Sequence, residues 1–149
     1  MIVRRAELSD IPAVAALERA EFPDGADKGM LTRLWETDGG VILAAGEEDA
    51  LLGYVWARFV LDEGEIGNIA VAPERRRCGV GAALLEALFA ESERRGAAVL
   101  QLEVRGSNLA ARRLYEKNGF ETVGKRKNYY EKPAEDAILM SKFFQKEAE

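Results

Sequence analysis

Residues 72–86 read APERRRCGVGAALLE. Three arginines, Arg75, Arg76 and Arg77, run into Gly79 and Gly81, and an apolar helical repeat starts at once. Cationic side chains, bare backbone and a helix start within ten residues suit an anion, phosphate above all. A helix N-terminus offers free amides and the positive end of its dipole, and glycine lets the anion come close. Two common phosphate signatures fail here. No G-x-x-x-x-G-K-S/T loop is present, and Leu84 stands where a dinucleotide fingerprint needs its third glycine. An ordinary basic turn ahead of a core helix explains the same residues. The chain also contains no histidine, so any acid–base chemistry must use carboxylate, tyrosine, thiol, lysine or water.

Composition narrows the setting. With 149 residues, 48% of them hydrophobic, a single folded domain spanning 1–149 is expected, burying roughly 70% of its unfolded surface. The net charge of −5 argues against a general nucleic-acid binder, which wants a basic surface. Positive charge still clusters at Arg75–Arg77, Arg112–Arg113 and Lys125–Lys127. Cys78 is the sole cysteine, which excludes an internal disulfide. No run approaches the roughly 20 apolar residues of a membrane span, and the start MIVRRAELSD has no signal-peptide core. A cytoplasmic protein with no membrane partner is expected.

The elements that would position these residues can be read from pattern. IVRRAE suggests a first strand. Ser9 or Asp10 can cap a helix running to about Phe22, with Pro12 tolerated in its first turn. A short helix is expected within Lys28–Glu36, then two strands joined by an acidic turn at Glu47–Asp49. GEIGNIAVAP reads as a strand ended by Pro73, its Gly67 marking a bulge or a close backbone approach. Val80, Leu84, Leu85, Leu88 and Phe89 form one helical face, stopped by Gly96. AAVLQLEV is a buried strand with Leu100, Leu102 and Val104 on one side and Val99, Gln101 and Glu103 on the other. Ser107 and Asn108 can cap a helix ending at Gly119. FETVGKRK and DAILMSKFF read as the last two strands, with Tyr129 and Tyr130 in the polar loop between them. The fold class is α/β with a mixed sheet.

Arg76-Arg77-Cys78-Gly79-Val80-Gly81 resembles the pyrophosphate loop of the GNAT N-acetyltransferase superfamily, Gln/Arg-x-x-Gly-x-Gly/Ala, and the order of elements agrees. The resemblance implies the GNAT fold, a mostly antiparallel central sheet flanked by helices, and acetyl-CoA as cosubstrate, with no metal. It assigns cofactor binding to Ile69, Ala70 and Val71, whose strand (Asn68–Val71) pairs with the pantetheine arm. The same role falls to Arg76, Arg77, Cys78, Gly79, Val80, Gly81 and Ala82, and to Asn108, which on spacing alone is a helix cap. The segments LDEGEIGNIAVAPERRRCGVGAALLE, LEVRGSNLAARRLYEKNGF, KNYY and EDAILM resemble the bacterial ribosomal-protein-alanine N-acetyltransferases, the RimI branch. That likeness implies a protein N-terminus as acceptor, that of a ribosomal protein.

By the same resemblance Glu103 is the catalytic base and Tyr115 the acid beside the CoA sulfur. On pattern alone, Glu103 also reads as a cleft-edge ion-pair carboxylate and Tyr115 as a core tyrosine. Tyr129 and Tyr130 are expected to hold the acceptor, although edge-strand packing explains an aromatic pair equally well. Two departures stand out. Phe22-Pro23-Asp24 replaces the branch's Phe-Pro-Trp, and Gly67 replaces a phenylalanine. Two rival functions remain open at this point: acetylation of a small-molecule amine, and a non-catalytic acyl-CoA-binding module.

Overall fold

The computed structural model describes residues 1–144. The alternation of β-branched and small residues in the first half builds β1 (Ile2–Arg5), β2 (Gly40–Glu47), β3 (Ala50–Val60) and β4 (Glu63–Val71). Between β1 and β2 lie α1 (Ile11–Glu21) and α2 (Lys28–Glu36). The second half adds α3 (Val80–Arg94), β5 (Val99–Arg105), α4 (Leu109–Lys117), β6 (Glu121–Tyr130) and β7 (Glu135–Phe143). Among the described residues, seven strands form one sheet in the order β1-β2-β3-β4-β5-β7-β6. Every pairing is antiparallel except β4 with β5. This is the mixed sheet expected from the pattern, mostly antiparallel as the resemblance implies.

Period-two alternation sends successive residues to opposite faces, and two cores result. Val41, Leu43 and Ala45 of β2 face α3 and α4, in a core with Leu84, Leu85, Leu88, Leu100 and Tyr115. Ile42 and Ala44 face α1 and α2, joining Ile11, Val14, Leu31 and Tyr54. Each helix thus buries one apolar stripe against the sheet.

One irregularity matters for function. β4 and β5 pair only over Glu63–Glu65 and Val99–Gln101. Beyond that the two strands have no common ladder: β5 keeps its bonds to β7 through Arg105, while β4 keeps its bonds to β3 through Val71. A wedge opens between them, with the second half of β4 unpaired on that side. Gly67 sits at its start as the extra residue of a β-bulge, since Trp56 pairs with Asn68 and Ala57 with Ile66. A Cβ on Gly67 would fall 2.1–2.2 Å from the Trp56 indole. The bulge expected at this glycine is present, and the group close against it is an indole side chain.

Local details differ from the sequence reading in three places. Asp10 occupies the cap position of α1, but its carboxylate turns back to accept from the Glu7 amide at 2.7 Å and from Arg4; a 3-10 turn at Leu8–Asp10 feeds the helix instead. Ser107 is not the cap of α4: its hydroxyl bonds Glu135, while Asn108 Oδ1 accepts from the Ala111 amide at 3.2 Å. Tyr129 and Tyr130 end strand β6 rather than lying in a loop. The register shift between Arg126 and Tyr130 explains the misreading, because a broken ladder leaves no clean alternation.

Candidate active site

The wedge between β4 and β5 is a cleft of about 230 Å³. One lip is β4, with Gly67, Asn68 and Ile69; the other is β5, with Glu103, Val104 and Arg105. The loop after α1, residues Phe22–Gly25, closes one end, and Asn108, Ala111, Tyr115 and Tyr130 complete the wall. Of the residues proposed from sequence, Ile69, Glu103, Asn108, Tyr115 and Tyr130 meet in this one cleft.

Glu103 is placed by strand parity. Its neighbours Leu102 and Val104 enter the core under α3 and α4, so its carboxylate rises on the opposite face. It lies 3.4 Å from Arg126 Nε and is partly exposed. The carboxylate, within hydrogen-bonding reach, also holds the Tyr129 phenol above its usual pKa through that contact and its charge. Tyr129 lies outside the cleft wall, with its ring edge-on to Tyr130 at 5.1 Å. The Tyr130 phenol is raised by burial first and by the Glu103 charge second. The Arg105 guanidinium, 4.3 Å over the Tyr130 ring, opposes that shift.

Tyr115 comes from the buried face of α4 and packs edge-on against Phe120. Burial pushes its phenol well above the ordinary value, and Tyr130 adds to the shift. It stays a proton donor across the neutral and mildly basic range.

The basic turn has a different construction. Gly79 is the N-cap of α3 in the left-handed region, φ +81°, with nothing within 4 Å of a would-be Cβ. No side chain caps this helix and no acidic residue lies in its first turn. A 15-residue helix therefore presents its first amides and positive dipole end without a built-in anion. Arg76, Arg77, Cys78, Gly79, Val80, Gly81 and Ala82 surround that end, and the unpaired edge of Ile69, Ala70 and Val71 leads to it. An anionic group with a strand-like arm fits this arrangement. Gly81 is also constrained by packing. A Cβ there would meet Leu114 Cδ2 of α4 at 2.9 Å, so its smallness serves helix packing.

Sequence reasoning passed over Glu18. It sits in the middle of α1, fully buried, and its carboxylate accepts from four donors. Tyr54 Oη donates at 2.5 Å, the Ala26 amide at 2.8 Å, Asn68 Nδ2 at 2.9 Å and Trp56 Nε1 at 3.1 Å. A glutamate in place of an apolar residue on a buried helical face was the available signal.

A family model described as the acetyltransferase (GNAT) family matches residues 11–120. The chain is 40% identical over 138 residues to the ribosomal protein bS18-alanine N-acetyltransferase of Escherichia coli K12, covering 91% of this chain and 92% of that one. The crystal structure of the ribosomal-protein-S18-alanine N-acetyltransferase from Escherichia coli superimposes with a TM-score of 0.89 at 34% identity, over 99% of this chain and 96% of the other. An aminoglycoside 6'-N-acetyltransferase complexed with coenzyme A shares the fold, with a TM-score of 0.84 at 19% identity over the whole of both chains.

Proposed function

The chain belongs to the GNAT acetyltransferase family, and from that premise we propose that it transfers an acetyl group from acetyl-CoA to the α-amine of a protein that begins with alanine. By analogy with its bacterial relatives, the acceptor is a ribosomal protein of the bS18 type. One observation carries the reading: Glu103 and Tyr115, from different elements, open into the one cleft that the unpaired β4 edge borders.

When bound, acetyl-CoA supplies a thioester carbonyl that an amine can attack directly. The amides at the start of α3 and the Arg76–Ala82 turn hold its pyrophosphate, and Ile69, Ala70 and Val71 pair with its arm. Asn108, at the head of α4, adds a polar contact. Glu103, acting through a water, removes a proton from the attacking amine. Tyr115 gives its hydroxyl proton to the thiolate as the carbon–sulfur bond breaks. Tyr130 in the wall, with Tyr129 behind it, borders the acceptor's first residue.

The chemistry suits an α-amine. With a pKa near 8, roughly a tenth of it is neutral at about pH 7, whereas a lysine near 10.4 is disfavoured by about 3 kcal/mol more. A thiol-release assay over a peptide panel tests the proposal. Alanine-first peptides are expected at the top, serine-first close behind, and N-terminally blocked lysine peptides near background. A small amine that outpaces every peptide would remove the protein acceptor. No thiol release with any amine would leave a binding module.

A further inference from the structure

The side chain of Asn68 stands between a buried carboxyl group and the open cleft. Its amide nitrogen donates to Glu18 Oε2 at 2.9 Å, while the residue itself lines the cleft. The Glu18 oxygens already accept from the Ala26 amide and the Trp56 indole, which can only donate, so Asn68 meets them as acceptors too. The reverse orientation of the amide would set two acceptors against each other, so Glu18 permits one orientation alone. Nδ2 is engaged by Glu18, which leaves Oδ1 as the free acceptor of a residue that lines the cleft.

Glu18 is itself held without slack. The hydroxyl of Tyr54, the indole of Trp56 and the amide of Ala26 fix its two oxygens. Gly25 lies directly on it, for a Cβ there would come within 2.7 Å of Glu18 Oε2. The same Trp56 indole covers Gly67. Gly25, Gly67 and Asn68, three parts of one cleft wall, are thus tied to a single carboxylate.

We propose that Asn68 is an acceptor-binding residue, whose Oδ1 takes an N–H of the incoming amine, and that Glu18 is the positioning residue that aims it. The proposal deepens the acetyltransferase reading of this cleft and rests on it. Asn68 and Glu103 occupy opposite lips, β4 and β5, so an amine between them gives one N–H to Oδ1 and another, through water, to Glu103. Two anchored N–H groups turn the nitrogen lone pair to a fixed side. That orientation is what an attack on a carbonyl requires.

The test separates binding of the acceptor from binding of the cosubstrate. Asn68→Ala, Glu18→Gln and the double variant are compared for acetyl-CoA affinity by calorimetry and for KM and kcat with an alanine-first hexapeptide. Asn68→Ala should raise the peptide KM tenfold or more, with acetyl-CoA affinity within twofold of the parent. Glu18→Gln, which lets the Asn68 amide turn over, should raise KM in the same direction. The double variant should be no worse in KM than Asn68→Ala, because Glu18 acts on the acceptor through Asn68. A peptide KM unchanged by Asn68→Ala would overturn the proposal, as would singles whose effects multiply in the double. Should Glu18→Gln fail to fold, Asn68→Ala decides by itself. If the parent enzyme turns over a small amine and no peptide, the peptide-acceptor reading falls, and the same KM comparison with that amine still decides the role of Asn68.

Discussion

The Arg76–Ala82 turn and the wall built on Glu18, the proposed sites of the two substrates, are constructed by opposite means. The turn is exposed and works through backbone: a left-handed glycine, an uncapped helix and a free strand edge. The ion pairs at and beside it, Arg76 with Glu21 at 2.5 Å and Arg75 with Glu47 at 3.2 Å, lie at the surface, a class worth little in water. The wall is buried and works through side chains, with one carboxylate and four donors. Backbone recognition tolerates sequence change as long as the glycine conformation survives. A closed side-chain network does not, because removing one member leaves a buried polar group without a partner.

The largest expected effect belongs to Glu103 on β5, the lip opposite Asn68. Glu103→Gln should lower kcat by about a hundredfold or more while acetyl-CoA affinity stays unchanged. The deficit should shrink as pH rises, because solvent then supplies the neutral amine that the base would otherwise produce. A pH–rate profile parallel to the parent's would reduce Glu103 to an ion-pair partner of Arg126. Tyr115→Phe is expected to lose a comparable factor. With the Tyr115 pKa displaced upward by burial, the parent's rate should climb with amine deprotonation and show no falling limb below about pH 10. A limb near neutrality would assign the acid elsewhere.

Two glycine variants sharpen the contrast at an intermediate scale. Gly79→Ala places a side chain in open space but at φ +81°, a strain of about 1–2 kcal/mol. It should loosen acetyl-CoA about tenfold and leave the peptide KM alone. Gly25→Ala pushes a methyl into Glu18 and should do the reverse, raising peptide KM and lowering thermal stability by about 1–3 kcal/mol. Calorimetry and initial rates on the two proteins would show whether the regions separate. Gly81→Val is less informative, since its clash with Leu114 mixes packing with binding. The smallest effect is expected from Glu21→Gln. Loss of its exposed pair with Arg76 should change stability by less than about 1 kcal/mol, read from the denaturation midpoint.

The contrast also explains what the sequence revealed. A backbone site leaves local marks, and the basic turn, Gly79 and the helix after it are contiguous in residues 75–85. The strand parity of Glu103 and the capping by Asn108 were legible for the same reason. The Glu18 network joins residues 18, 26, 54, 56 and 68, which meet only after α1 has packed on β3 and β4. No local period encodes that meeting. The bulge was visible as Gly67, but its occupant, Trp56, comes from the neighbouring strand. Tyr129 and Tyr130 read as loop in the sequence because the broken β6–β7 register leaves no alternation.

Whether this cleft acetylates an α-amine is decided by one peptide that carries both candidate nucleophiles. An alanine-first peptide with a single internal lysine is incubated with enzyme and acetyl-CoA, and fragment masses locate the acetyl group at early times. The ionisation gap of about 3 kcal/mol predicts α-acetylated product in at least hundredfold excess over the lysine-acetylated form. Acetyl found first on the lysine side chain would contradict α-amine acetylation.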